Sequence, residues 1–569
     1  MKKYLFVLNI FLSLITFAQT PTFDWVKSYG GNSGGGTGSS ICHDQNGNVI
    51  TAGSFGPTVD FNIGVTPNAL TSVGQSDIFV MKSDATGELI WIKQFAGTLE
   101  YDFVKSVVTD ISGNIYVIGH FEGTIDCDPG IGVFNLIGSS IYDTFFVLKL
   151  DINGNFVWAK RFIGTLGSNS LAGGSSIAVD ALGNVYGTGH FSSTIDFDPN
   201  AGVYNLVGQG SGNTFIFKLS SLGNLVWAKS LGSANFSTGL SVNVDNTGNV
   251  YTTGFFYDDL DVDPSSNINN LYASSGVGRQ TYVSKLDKLG NYVWAKKIAG
   301  SQNDVGYSIA TDVSGNVLVT GFFEGNGDFD PSSGIYNLTS IGNKDVFISK
   351  LDSLGNLLWA HSIGSQGYDL ANIISSDLQN NIYVVGTTKQ GKFYFNLGVD
   401  SFNLNFPTFG EHCFIAKFDP TGNFIWASGI NHCFGYGLTI SSVNEVYTCG
   451  SYYGPTDFNI GIDTFNLSVD SIIYHNIFIH KINQSLVGIE EFKNEDNSNI
   501  YPNPNNGIFT IDIKSKSNII ITNILGQEIY NENKLEGKQI IQTPDIENGL
   551  YTLTIIDNKK RQTFKLIKQ

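Results

Sequence analysis

The chain has 569 residues, enough for two or more domains or one large repeat array. It carries 66 Gly, 25 Tyr and 41 Phe and only 14% charged residues. That mix suits many short strands joined by tight turns, because aromatics fit pleated surfaces and glycine supplies positive φ. The net charge of −18 argues against a nucleic-acid partner, which would need a basic stripe to displace condensed counterions.

Residues 1–18 read as a signal peptide: Lys2 and Lys3, an apolar run from Tyr4 to Phe17, then Ala18 before the cut. The run is too short for a membrane helix, and no other segment holds 18 unbroken apolar residues. The mature chain is therefore expected to be exported without a transmembrane anchor, starting near Gln19. Five cysteines, Cys42, Cys127, Cys413, Cys433 and Cys449, share no spacing. Their odd number leaves a thiol outside any intramolecular disulfide set, and buried small hydrophobes is the expected role. A bridge from Cys413 to Cys433 or Cys449 is the alternative.

From residue 19 to 485 the chain repeats. Its seven tryptophans, Trp25, Trp91, Trp158, Trp227, Trp294, Trp359 and Trp426, lie 66, 67, 69, 67, 65 and 67 residues apart. Such a register marks an internal repeat. Six phrases of the type DINGNFVW precede the tryptophans from the second onward, and seven of the type DISGNIYVIG occur earlier in the units. Asp followed by Gly-Asn between alternating apolar runs predicts a short hairpin loop. Each unit then holds strands A and B joined by one hairpin and C and D joined by another, the pattern of a β-propeller blade. Strand C carries a lysine in every unit: Lys82, Lys149, Lys218, Lys285, Lys350, Lys417 and Lys481. After the last of these no Trp strand follows, so residues 23–28 are predicted to supply it by pairing around 477–482. The fold class expected is all-β, a seven-bladed propeller closed between the two ends of the repeat region.

After a polar linker at 486–498, residues 499–569 alternate as a small β-module, predicted to be β-sandwich-like. The propeller phrases resemble the secreted seven-bladed β-propeller (SBBP) repeat, which implies secretion but no activity. The module resembles the type A C-terminal sorting domain of type IX secretion cargo, through Tyr501-Pro502-Asn503-Pro504 with Gly507, Asn523 to Gly526, Gly549-Leu550-Tyr551 and the basic tail. That resemblance implies a partner in the type IX machinery. It also implies delivery to the outer surface of a Gram-negative bacterium or release from it, after removal of the module.

Chemistry is harder to find. Each connection between strands B and C carries a phrase such as TIDFDPN, giving the pairs Asp126 and Asp128, Asp196 and Asp198, Asp261 and Asp263, Asp328 and Asp330. Asp60 with Asn62 and Asp457 with Asn459 are variants, and Tyr394 replaces the first carboxylate in the sixth unit. Hard oxygens in a turn suit Ca²⁺, which is the functional reading of these residues. No third carboxylate follows at fixed spacing, so an Asx-turn or salt-bridge role stands beside it. Lysines two residues after each Trp, replaced by His361 and Ser428 in two units, read as contacts between blades. No nucleophile motif has a fitting context, and no HExxH or P-loop occurs. The leading expectation is a non-catalytic scaffold binding a glycan, polymer or protein on its long-connection face. A polysaccharide hydrolase or lyase and a structural surface protein are the alternatives. An enzyme should gather residues that break the repeat, such as Tyr394, His361, Ser428 and His432, into one pocket.

Overall fold

The computed structural model describes residues 21–484 and 500–568 apart from short internal stretches, the longest of which are 62–67, 139–143 and 165–171. The signal peptide and linker expected from the sequence lie outside the described residues. The chain divides into two compact parts, Met1–Ser485 and Leu486–Gln569. Among the described residues every regular element is a β-strand.

The third repeat unit shows the plan. Strands A (Ala172–Val179), B (Val185–Phe191), C (Asn213–Leu219) and D (Leu225–Leu231) pair antiparallel in that order. The same order recurs in seven units among the described residues, the second and third being linked by one parallel bridge, Thr144 to Ala172. The seventh comprises Cys433–Ile440, Val446–Tyr452, Asn476–Asn483 and, as its D strand, Thr22–Tyr29 from the other end of the repeat region. That strand runs antiparallel to Asn476–Asn483 with Trp25 opposite Lys481.

The turn phrases work as their chemistry predicts. In the second unit Asp110 Oδ1 accepts the amides of Ser112 and Asn114, both at 2.9 Å, and Asn114 Nδ2 donates to Asp110 Oδ2 at 2.8 Å. Gly113 between them has φ of 79°, a conformation that an L side chain resists.

Apolar cores lie between neighbouring sheets. One unites Ile50, Val80 and Phe95 of the first unit with Val107, Val117 and Phe146 of the second. Another joins Tyr447 and Ile479 of the seventh unit to Phe55 and Phe79 of the first. Polar clamps lock the same seams. Trp158 Nε1 and Lys149 Nζ of the second unit both donate to the Ser221 carbonyl in the C-D turn of the third, at 3.1 and 3.2 Å. Trp294 with Lys285 do the same to Ser353, and Trp359 with Lys350 to Pro420. Trp25 and Lys481 of the seventh unit reach Ala85 of the first, at 3.2 and 3.1 Å.

The turn glycine beside each clamp is fixed by packing as well as by φ. A Cβ on Gly223 would come within 2.9 Å of Lys160 Cε and 3.1 Å of the Trp158 ring. The lysine two residues after Trp thus lays its stem across the next unit, with its head paired there in some units, as Lys27 to Glu88 at 2.7 Å.

The C-terminal part has a three-stranded sheet (Ile500–Tyr501, Ile508–Ile513, Gly537–Gln542) and a four-stranded one (Glu528–Lys534, Ser517–Thr522, Gly549–Ile556, Arg561–Lys568). Its core includes Phe509, Ile511, Ile519, Ile541 and Leu553.

Candidate binding face

The carboxylate phrases are more ordered than a loop. Thr194–Asp196 and Asn205–Val207 form a two-stranded hairpin inside the third B-C connection, and each of the seven units carries a counterpart. The sequence predicts no strand in these connections. Their strands, only two to five residues long, carry too little alternation to be read from sequence. Among the described residues, six of the hairpins also bridge the exit of the preceding D strand, as Gly164 to Ile195, Gly232 to Asp261 and Gly30 to Asp60.

Within the hairpins the acidic oxygens are occupied by backbone. Asp196 Oδ1 accepts the amides of Asp198 at 3.0 Å and Tyr204 at 2.8 Å, and Asp198 Oδ1 accepts that of Asn200 at 3.0 Å. Asp126 and Asp128, Asp261 and Asp263, and Asp328 and Asp330 repeat this arrangement. Among the described residues no three His, Cys, Asp or Glu side chains gather as a metal-holding group. A Ca²⁺ ion wants six to eight oxygens. Each pair instead offers one carboxylate tied to two amides and a second tied to one, a poor fit to that demand.

Residues that break the repeat tell a different story. His361 and Tyr394 line one pocket of about 400 Å³ at the seam between the fifth and sixth units, with Tyr336, Thr339, Asp345 and Ser362. Burial pushes the Asp345 carboxyl up to about 6. Its oxygens accept the amides of Ile341 and Gly342, at 2.9 and 3.2 Å. The His361 ring stacks on Trp359, and its Nε2 lies 2.8 Å from the Gly422 carbonyl oxygen. Burial lowers its pKa. Asp345 and His361 are thus both engaged in holding backbone, so the pocket is shaped to receive a group and lacks an evident acid-base pair. Ser428 and His432 do not line it. His432 sits instead against Tyr453, ring centres 5.6 Å apart.

Aligning the units by register shows where variation concentrates. The residue after the strand-B glycine is Ser54, His120, His190, Phe255, Phe322, Thr387 or Ser451. The residue before strand C is Ser76, Gly212, Arg279, Lys344, Glu411 or His475 in the units where it is described. Both positions lie at the end of the sheets that carries the B-C connections. In the middle units they bring cations and rings together. The Arg279 guanidinium lies 5.3 Å from the Phe255 ring and 5.6 Å from that of Phe322. Lys344 Nζ lies 4.2 Å over Phe322 and 5.6 Å from Tyr368. Burial lowers the Lys344 pKa; Glu324, 3.9 Å away, opposes the fall and Arg279 adds to it. The sequence does not show this cluster, because it joins residues of three units whose types at these positions hold in no more than two units.

Comparison with known proteins places both parts of the chain. The model of the secretion system C-terminal sorting domain matches residues 499–569, and that of the beta-propeller repeat matches residues 90–120. The chain thus carries a stretch matching the SBBP-type β-propeller repeat and, at 499–569, a type IX secretion sorting domain. The sorting domain makes it secretion cargo bound for the cell surface and gives it the secretion machinery as a partner. Among the described residues no helix is long and apolar enough to cross a membrane.

An uncharacterized WD repeat-containing protein of Acanthamoeba polyphaga mimivirus is 24% identical over 476 residues, 70% of this chain and 33% of that protein. The regulatory protein FlaEY of Caulobacter vibrioides is 28% identical over 253 residues, 42% of this chain and 24% of that one. The chain thus matches a third or less of the length of these relatives. Among solved structures, PorZ, a surface component of the type IX secretion system of Porphyromonas gingivalis, matches over 93% of this chain and 81% of its own, at 11% identity and a TM-score of 0.23. Sqt1 from Chaetomium thermophilum matches over 76% of this chain and 97% of its own, at 11% identity and a TM-score of 0.37.

Proposed function

We propose that this protein is a secreted, seven-bladed β-propeller, residues 19–485, that binds a glycan, polymer or protein ligand through its long-connection face. In this reading residues 486–498 link it to the sorting domain at 499–569. The observation that carries it is the division of labour along each unit. Turn aspartates, clamp lysines and tryptophans repeat with small variation, whereas residues flanking the B-C connections differ from unit to unit. A surface used only for bracing would repeat with the frame. The hairpin carboxylates belong to the bracing, and the pocket holding His361 and Tyr394 adds a concave subsite at the edge of the variable face.

A glycan-array screen of the secreted chain, with and without EDTA, tests the reading. Capture of a defined glycan, lost on mutation of variable-face residues and indifferent to EDTA, is the expected result. If no glycan is retained under either condition, the glycan version of the reading falls.

A further inference from the structure

Arg279 and Lys344 occupy the same repeat position, one residue before strand C, in consecutive units. Both reach the ring of Phe322, and Phe255 and Tyr368 extend the aromatic surface to either side. Tyr307 adds a ring 5.8 Å from Phe322, at a residue skipped in the strand pairing. The acidic group at hand is Glu324, which Lys344 meets at 3.9 Å and Asn303 Nδ2 at 3.0 Å. Arg279 and Lys344 share one ring, with Glu324 the carboxylate that Lys344 meets and the buried Asp304 behind it accepting the Glu324 amide at 3.4 Å, a cationic pair on a chain whose net charge is −18. Placing two half-buried cations side by side raises the energy of the ligand-free protein, and an anion bound between them relieves it. Exposed ring surface, Tyr368 being 48% accessible, suits the apolar C–H face of a sugar ring.

We propose that Phe255, Arg279, Tyr307, Lys344 and Tyr368, set over the buried Phe322, form a subsite for an anionic saccharide, a glycan bearing carboxylate or sulfate groups. This rests on the glycan reading of the variable face and narrows it to one ligand class. Arg279 and Lys344 bind the acidic groups and the exposed Tyr368 ring stacks the sugar.

Titration of the full-length chain with oligogalacturonate, a heparin oligosaccharide and a neutral cello-oligosaccharide of similar length tests this. The charged sugars are expected to bind and the neutral one not. Arg279→Gln with Lys344→Gln should weaken binding at least tenfold, with ligand-free melting no lower than in wild type. Glu324→Gln, which removes the competing carboxylate, should tighten it. Raising the salt from 50 to 500 mM should weaken wild type more than the double variant. Binding of the neutral sugar as tight as the charged ones, insensitivity to the double variant, or equal competition by polyglutamate would each overturn the proposal. A chain that binds neutral glycans alone leaves the broader reading standing. One that binds no sugar of either kind removes this proposal together with the glycan version of that reading.

Discussion

At the scale of single residues, Gln484 shows how the frame handles its own break. In most seams a Trp and a Lys donate to a backbone carbonyl in the next C-D turn. The seventh unit has no such turn, because its D strand comes from the other end of the repeat region. Gln484 Oε1 takes the place of the carbonyl, accepting from Lys417 Nζ at 2.9 Å, Tyr383 Oη at 3.2 Å and Trp426 Nε1 at 3.3 Å. Its Nε2 donates to the Asn444 carbonyl at 3.1 Å. Aligning KINQ with KFDP puts Gln484 at the turn position of Pro420, so the location was legible in the sequence. The substitution of a side-chain oxygen for a main-chain one was not. Gln484→Leu leaves Trp426 Nε1 without this acceptor and takes one acceptor each from Lys417 and Tyr383, whose hydroxyl still reaches Asp377 at 2.9 Å. An unsatisfied buried group costs about 1–3 kcal/mol, so a loss of that order is expected in denaturant unfolding. Gln484→Glu keeps the acceptor and should lose distinctly less.

At the scale of elements, the four main strands of each unit were readable because two regularities coincide there: alternation of apolar residues and a turn phrase with a mechanism. Neither regularity covers the hairpins in the B-C connections, whose order comes from Asp oxygens gripping amides two and eight residues on. The variable face was illegible for a related reason. Superposing repeats keeps what recurs and discards the isolated Arg279 or Lys344. Only the partial gathering of pattern-breaking residues was foreseeable, and the structure brings together His361 and Tyr394 but not Ser428 or His432. Asp196→Ala strips two amides of their acceptor at a site where water can replace it, so a loss of about 1 kcal/mol is expected. Asp196→Asn keeps the acceptor oxygen and should be nearly neutral in the same unfolding assay. Melting in EDTA should match melting in added calcium; a rise of several degrees with calcium would show the carboxylates gripping an ion instead of the backbone.

The cysteines follow the same element logic. All five are free, and Cys127, Cys413, Cys433 and Cys449 are buried on strands or in their connections, where they act as small apolar side chains. Burial pushes the thiols of Cys42, Cys127, Cys433 and Cys449 up, that of Cys42 to about 12. Labelling of the native chain by a polar maleimide near neutral pH should therefore be slow and become rapid on unfolding.

At the scale of the whole repeat region, the seams that stabilise it also hold buried acid groups. Asp102 and Asp369 each occupy the start of a strand A, and Asp77 and Asp345 face them from strand C of the preceding unit. Burial, reinforced by the neighbouring carboxylate, pushes Asp102 and Asp369 up to about 7. A free aspartate titrates near about 4. The folded state therefore holds these protons more tightly than the unfolded chain. The stability they contribute is fully present below about pH 4 and is lost as the pH rises through about 7. Buried histidines work the other way. Burial lowers His190 to about 4 and His480 to about 3, so their contribution is present above about pH 6.5 and lost as the pH falls. The two trends overlap, so the wild-type profile alone does not resolve either. The difference between wild type and the double variant Asp102→Asn, Asp369→Asn isolates the acids, since the amides have no charge to bury. The variant should gain melting temperature relative to wild type as the pH is raised from about 5 to about 8, with most of the change between about 5 and about 7. A difference flat across that range would mean that the seam carboxylates are already ionised at pH 5 in the folded chain, held by the amides and hydroxyls around them instead of by a proton.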